Sequence, residues 1–377
     1  MLGKVQRASR GKCRRGASRL RAREYPRVTT PMRILLTVDP ELPVPPLFYG
    51  GVERIVNGLV RALVMRGHQV GLIAHAESNC PATHNFSWPG TRSQHRADCS
   101  RNMVALRNAV KDFCPDVVHS FSRLLYLLTI MFSAIPKIMS YQRHPGRNQV
   151  ALGACLGGRS LTFTGCSQYI CDAGSVAGGK WRAIHNFVDT DAFRYQSRVS
   201  SDAPLVFLSR VERLKGAHIA IDIARRAGRC LIIAGNHGEA GAEGLYWREE
   251  IVPALSPGTV EYVGPVTDAQ KAKLLRGAAA MIVPVQWDEP FGIVFAEALA
   301  CGTPVISCAR GALPEIIRPG SEGFLISNVE EGCEAVRRLG EISRLVCRRR
   351  AENFFSQDVI VSKYERLYET VSLAAGR

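Results

Sequence analysis

The stretch WDEPFGIVFAEALACGTPVIS, Trp287 to Ser307, places Glu289 and Glu297 eight positions apart around a Pro-Phe-Gly turn. On a single helix, at a rise of about 1.5 Å per residue, the two would stand roughly 12 Å apart, too far to share one proton. They are therefore not a paired acid and base. Their surroundings predict a buried strand over Ala280–Val285, a helix over Gly292–Ala300 with Ile293, Ala296, Leu299 and Ala300 on one face, and a strand over Thr303–Cys308. Gly302 stops the helix. Glu289 then falls in a loop at the carboxyl end of a parallel strand, the place where open α/β sheets bind ligands. Glu297 lies a little over one turn into the helix. The amides of Phe291, Gly292 and Ile293 at the helix start favour an anion. The two glutamates are expected to hold hydroxyl groups at either end of one elongated, anionic ligand.

The same rhythm extends outward in both directions. Strands are predicted at Arg33–Val38, Gln69–Ala74, Asp116–Ser120 and Pro136–Tyr141, and again at Leu205–Ser209, Cys230–Ala234 and Thr259–Val263. Helical patterns alternate with them, among them Val52–Met65, whose Val52, Ile55, Val56, Leu59, Val60 and Leu63 mark one buried face. Strand-helix alternation implies doubly wound parallel sheets, and 377 residues suit two domains. The predicted organisation is α/β: a basic, disordered tail over 1–31, one Rossmann-like domain over 32–195, a second over 196–355, and a closing helix within 356–377 that packs back across the domains. The polar segment Ala183–Pro204 is the expected linker.

The formal charge of +16 suggests nucleic acid until it is located. Residues 1–31 carry ten Lys/Arg and one Glu, residues 32–195 carry 17 basic and 10 acidic, and residues 196–377 carry 22 of each. The half that holds the opening motif is neutral, so nucleic acid is not an expected partner. The positive first domain permits peripheral contact with an anionic membrane or an acidic acceptor. The longest apolar run, Leu124–Ile135, is too short to span a bilayer. Twelve cysteines without a C-x-x-C or a nearby His cluster argue for reduced thiols in a cytosolic protein rather than a metal site.

Three further loops carry chemistry. Tyr49-Gly50-Gly51 precedes a helix and lets backbone approach a ligand. Ser209-Arg210-Val-Glu-Arg-Leu-Lys215-Gly216 follows the strand LVFLS and sets two cations at its end, where a departing diphosphate needs its charge neutralised. Arg310-Gly-Ala-Leu-Pro-Glu315 follows the strand that ends at Cys308, and Glu315 is expected either to favour its own helix N-terminus or to touch ligand.

At these residues the chain resembles the retaining, nucleotide-sugar-dependent glycosyltransferases of family four, also called group one, which have the GT-B fold of two Rossmann-like domains facing a central cleft. The family's E-x7-E signature stands at Glu289 and Glu297, its phosphate-binding Arg and Lys at Arg210 and Lys215, and its glycine loop at Gly50-Gly51; EALACGTPVIS, GALPEII and GSEGFLI extend the likeness, and Asn186-Phe-Val-Asp189 is similar to its linker motif. The resemblance implies a donor in the second domain, with Glu297 on the ribose, the base near Val263, and Arg210 and Lys215 on the diphosphate. Glu289 and the amides of Phe291, Gly292 and Ile293 would hold the sugar and the neighbouring phosphate. The first domain would bind a hydroxyl acceptor of unknown identity. It further implies a hexosyltransferase that needs neither metal nor cofactor. The family often has a His after a first-domain strand beside the sugar; here His144 arrives displaced by two residues, and His119 is a second candidate. A nucleotide-sugar epimerase of the same fold, or a non-catalytic sugar-nucleotide binder, fits the same residues.

Overall fold

The computed structural model describes residues 30–46 and 50–375. The predicted tail, apart from its last two positions, and Tyr49 of the glycine loop lie outside the described residues. Strands β1 (Arg33–Thr37), β2 (Gln69–Ala74), β3 (His84–Ser87), β4 (Val117–Ser120), β5 (Lys137–Tyr141), β6 (Leu161–Gly165) and β7 (Trp181–Ala183) form one parallel sheet in the order β3-β2-β1-β4-β5-β6-β7. Strands β8 (Leu205–Leu208), β9 (Leu231–Ala234), β10 (Val260–Tyr262), β11 (Ala280–Val283), β12 (Val305–Ser307) and β13 (Gly323–Leu325) form a second, also parallel, ordered β10-β9-β8-β11-β12-β13. Central strands such as LVFL and AMIV are buried along their whole length, as helices on both faces of a parallel sheet require. Both sheets are therefore doubly wound, and the strand order reverses between β1 and β4 and again between β8 and β11. Those two reversals open crevices at the carboxyl ends of the strands.

Most predicted strands run one or two residues past the observed ones. The strand expected to reach Val285 stops at Val283, because Pro284 has no amide for the ladder. Strands β3, β6, β7 and β13 escaped the reading of the sequence. β3 and β7 are largely polar or exposed edges, β13 is a three-residue edge, and the buried β6 hides its pattern behind Thr162 and Thr164.

The chain passes between the domains twice, side by side: Val188 pairs with Ser356, and its amide donates to Phe355 O at 2.8 Å. The closing helix, Gln357–Ala375, then lays Ile360, Val361, Tyr364, Leu367 and Tyr368 into the first domain's core beside Leu59 and Leu63. Arg66 anchors it through ion pairs with Asp358 and Glu365. His119 lies beneath this helix and not in a cleft. Its Nδ1 is 2.7 Å from the Tyr368 hydroxyl and its Nε2 2.7 Å from Ser140 Oγ, and burial pushes its pKa down to about 3. A neutral imidazole with both nitrogens engaged is a core residue.

Candidate active site

The loops after β8 and β11 flank the second sheet's reversal point and carry the predicted residues into contact. Gln286 N donates to Leu214 O at 2.7 Å, tying the two loops together. Lys215 Nζ reaches Glu289 Oε2 at 2.6 Å and lies 4.5 Å from the centre of the Trp287 ring, while Trp287 Nε1 donates to the same carboxylate oxygen at 3.0 Å. Both charged side chains are 11% exposed, so the pair sits at the floor of the crevice. The Glu289 backbone is clamped from the third loop: Ala312 N donates to Glu289 O at 2.8 Å, and Gly311, at φ +57°, lies so close that a Cβ there would be 2.3 Å from that oxygen. Only glycine fits.

Gly292, at φ +76°, turns the chain into the Ile293–Ala300 helix, and a Cβ on it would meet the Phe295 ring at 2.5 Å. No described residue accepts a hydrogen bond from the amides of Phe291, Gly292 or Ile293. The Phe291 ring itself is buried between His185 and Phe355. Glu297 is 7% exposed and accepts from Lys271 Nζ at 2.6 Å. Burial raises its pKa, and the Lys271 ammonium opposes that rise. Lys271 stands on the Asp268–Gly277 helix, where its sequence DAQKAK reads as an ordinary solvated surface. The sequence reading missed it, as it missed Trp287; only the aromatic beside Asp288-Glu289 offered a signal.

Other expected residues are more spread. Arg210 shares the loop of Lys215 and forms an ion pair with Glu212. Val263, half exposed, directly follows β10 at the same carboxyl edge, two strands from β8. From the first domain, Gly51 opens the Gly51–Met65 helix opposite Ile293, with the position of its missing Cβ 3.8 Å from Ile293 Cδ1. Arg54 of that helix pairs with Asp268. Gly50 lies over Glu53, whose carboxylate is nearly buried and raised in pKa by burial. Nearby Asp39 is raised to about 6, by burial first and then by Glu41, with Arg143 3.6 Å away pulling against it. His144 is exposed, its ring 6.5 Å from Tyr169, and the Tyr169 hydroxyl meets Asp288 next to Glu289. The two reversal points thus face each other across one cleft.

Glu315 does something other than either expectation. Its carboxylate accepts from the amides of Gln168 and Tyr169, each at 2.8 Å, and from His185 Nε2 at 2.9 Å. It caps the Gln168–Ser175 helix of the first domain from the second. Burial works against its charge, but His185 and the two amides hold its carboxyl below the usual range. Among the described residues no cluster of three or more His, Cys, Asp or Glu could hold a metal, and no helix is long and apolar enough to cross a membrane.

Two reversal points opposed across a cleft define a GT-B architecture. Solved structures agree: AviGT4, a glycosyltransferase involved in avilamycin A biosynthesis, superposes with a TM-score of 0.68 at 23% identity over 91% of this chain and 98% of its own. A Rickettsia africae glycosyltransferase gives 0.75 at 16% identity over 90% and 98%, and Anabaena HepE, solved with UDP-glucose, 0.67 at 17% over 90% and 100%. Residues 189–352 match the family described as Glycosyl transferases group 1, and residues 49–192 match Glycosyltransferase Family 4. The chain belongs to the group 1 glycosyltransferases. D-inositol 3-phosphate glycosyltransferases of Mycobacterium tuberculosis and Mycobacterium bovis are 33% identical over 162 residues, which cover 40% of this chain and 33% of theirs. The match thus spans about a third of the length of these relatives.

Proposed function

We propose that this protein moves a hexosyl group from a nucleotide-diphosphate sugar to a hydroxyl acceptor, with retention at the anomeric carbon and without a metal ion. The observation that carries the reading is the buried Lys215–Glu289 contact at the second sheet's reversal point, beside three amides that no described residue claims. A diphosphate placed there takes Lys215 and Arg210 as counter-charges and the amides of Phe291, Gly292 and Ile293 as donors. Glu289, relieved of Lys215, accepts from hydroxyls of the sugar. Glu297, paired with Lys271, accepts from the ribose, and the base extends toward Val263. The bond from the anomeric carbon to the diphosphate oxygen breaks, its electron pair leaves with the diphosphate, and the acceptor oxygen bonds on the same face. The acceptor proton passes to the departing diphosphate. Gly50, Gly51 and His144 complete the sugar's surroundings from the first domain. HepE's complex with UDP-glucose supports a nucleotide-sugar donor, and the mycobacterial relatives support a small hydroxylated acceptor.

The test is to incubate the purified chain with UDP-, GDP- and ADP-sugars, with and without polyol acceptors, and to follow nucleotide release and the anomeric signal of the product by NMR. Acceptor-dependent release with retained configuration is expected. Neither binding nor release with any donor overturns the reading, and isomerised donor formed without acceptor replaces it with epimerisation.

A further inference from the structure

Most of the first domain's positive surplus is concentrated in one stretch. Residues 123–182 hold seven Lys/Arg and a single acid, Asp172. Lys137 is buried and bonded to Met131 O, Ser133 O and Ser160 Oγ, but the other six lie at or near the surface. The same stretch exposes large apolar side chains that a soluble surface normally hides: Phe132 is 83% exposed, Leu152 49% and Leu125 39%. Two close contacts hold the segments that bear them side by side. A Cβ on Gly153 would lie 2.8 Å from Leu124, and one on Gly157 would lie 3.1 Å from Met131 Sδ, so the Arg147–Gly157 helix packs along Leu124–Met131. Leu125 and Leu152 adjoin the first contact, and Phe132 adjoins the second. Arg147 opens that helix and Arg159 follows it, both exposed.

We propose that this face, Leu125, Phe132 and Leu152 flanked by Arg147 and Arg159, docks on a bilayer surface containing anionic lipid. The apolar side chains enter the headgroup region and the guanidinium groups meet lipid phosphates. A second copy of the chain is disfavoured as occupant, because a two-fold interface would set the same positive patch against itself. Nucleic acid would leave the aliphatic side chains without partners. The inference stands apart from the donor reading, since none of these five residues is a proposed donor contact.

The experiment is co-sedimentation of the full chain with vesicles of phosphatidylcholine alone and of phosphatidylcholine with phosphatidylglycerol. Binding is expected only to the anionic vesicles, with reversal by salt. The double variant Phe132→Ser/Leu152→Ser is expected to weaken it by about tenfold or more, and Arg147→Gln or Arg159→Gln by about fivefold each. All are surface changes, and circular dichroism checks their folding. Equal binding to both vesicles, or to neither, overturns the inference. So does anionic binding that ignores Phe132→Ser/Leu152→Ser, which would assign it to the basic residues near the N-terminus. A dimer in solution that this double variant dissolves would also overturn it.

Discussion

Replacing Lys215 with alanine should damage stability and turnover by separable amounts. In the folded protein Lys215 Nζ sits 2.6 Å from a Glu289 carboxylate that is 11% exposed, and among the described residues the other donor on that oxygen is Trp287 Nε1 at 3.0 Å. Removing the ammonium strands a buried charge, and breaking such a pair from one side costs about 3–5 kcal/mol. The residual exposure and the Trp287 bond favour the lower end, about 3 kcal/mol. Adding Glu289→Gln removes the stranded charge while leaving an oxygen for Trp287, so the double variant should lie within about 1 kcal/mol of wild type. A double variant nearer to wild type than Lys215→Ala means that the two changes are coupled. For a domain of this size each kcal/mol moves the melting temperature by about 2–4 °C, so Lys215→Ala should melt about 6–12 °C low and the double variant should recover more than half of that. On the proposed reading turnover should not recover: both variants would lose the cation at the leaving diphosphate and should fall about 100- to 1000-fold in kcat. A double variant that melts as low as Lys215→Ala would refute the stranded-charge argument, and one that regains kcat would refute the phosphate assignment.

Three further outcomes can be checked. Asp39, raised to about 6 from 3.8, favours the protonated form in the folded state; the resulting stability is complete below 3.8 and lost as pH rises through 6, so Asp39→Asn should stabilise by about 1–2 kcal/mol at neutral pH, with the gain shrinking toward pH 4 in urea titrations. His119, held neutral with a pKa of about 3 against 6.5 when free, contributes stability that is full above 6.5 and falls by about 1.4 kcal/mol per unit as pH drops toward 3; His119→Gln should flatten that slope, and an unchanged slope contradicts the burial argument. Glu315→Ala removes the acceptor for the Gln168 and Tyr169 amides and should cost about 1–2 kcal/mol, seen as faster hydrogen exchange at those amides while the rest of the fold is retained.

What the sequence made legible follows from where its signal is local. Strands β1, β2, β8 and β11 are continuous apolar runs because both their faces are covered, and Gly302 marks a helix end by chemistry that acts within a few residues. Edge strands such as His84–Ser87 have no buried face to write a pattern. The site divides in the same way. Glu289, Glu297, Arg210 and Lys215 announce themselves by spacing, but that Lys215 touches Glu289 across 74 residues, or that Lys271 meets Glu297, depends on how loops and helices converge. Glu315 is the clearest case. Its sequence context places it in the first turn of its own short helix, and its carboxylate goes instead to the N-terminus of a helix in the other domain. Docking between domains leaves no periodicity to read.

The Lys215–Glu289 pair also bears on how a donor would enter. A buried ion pair is weak evidence for stability, since desolvating two charges offsets most of their attraction. Its value lies in what it keeps ready. With Glu289 gone from its side, Lys215 would bend toward solvent and, on the proposed reading, would have to be dehydrated again for each incoming diphosphate; with Glu289 present, it is already dry, aimed by the Trp287 ring, and held by a carboxylate whose replacement partners on that reading would be the sugar's hydroxyls. On the proposed reading binding would then be an exchange in which phosphate takes Lys215 and hydroxyls take Glu289, so that neither charge is left unpaired at any stage. That exchange demands a ligand carrying an anion and hydroxyl donors at a fixed separation. Free diphosphate lacks the hydroxyls and free sugar lacks the anion, so on the proposed reading each alone should bind far more weakly than the two joined.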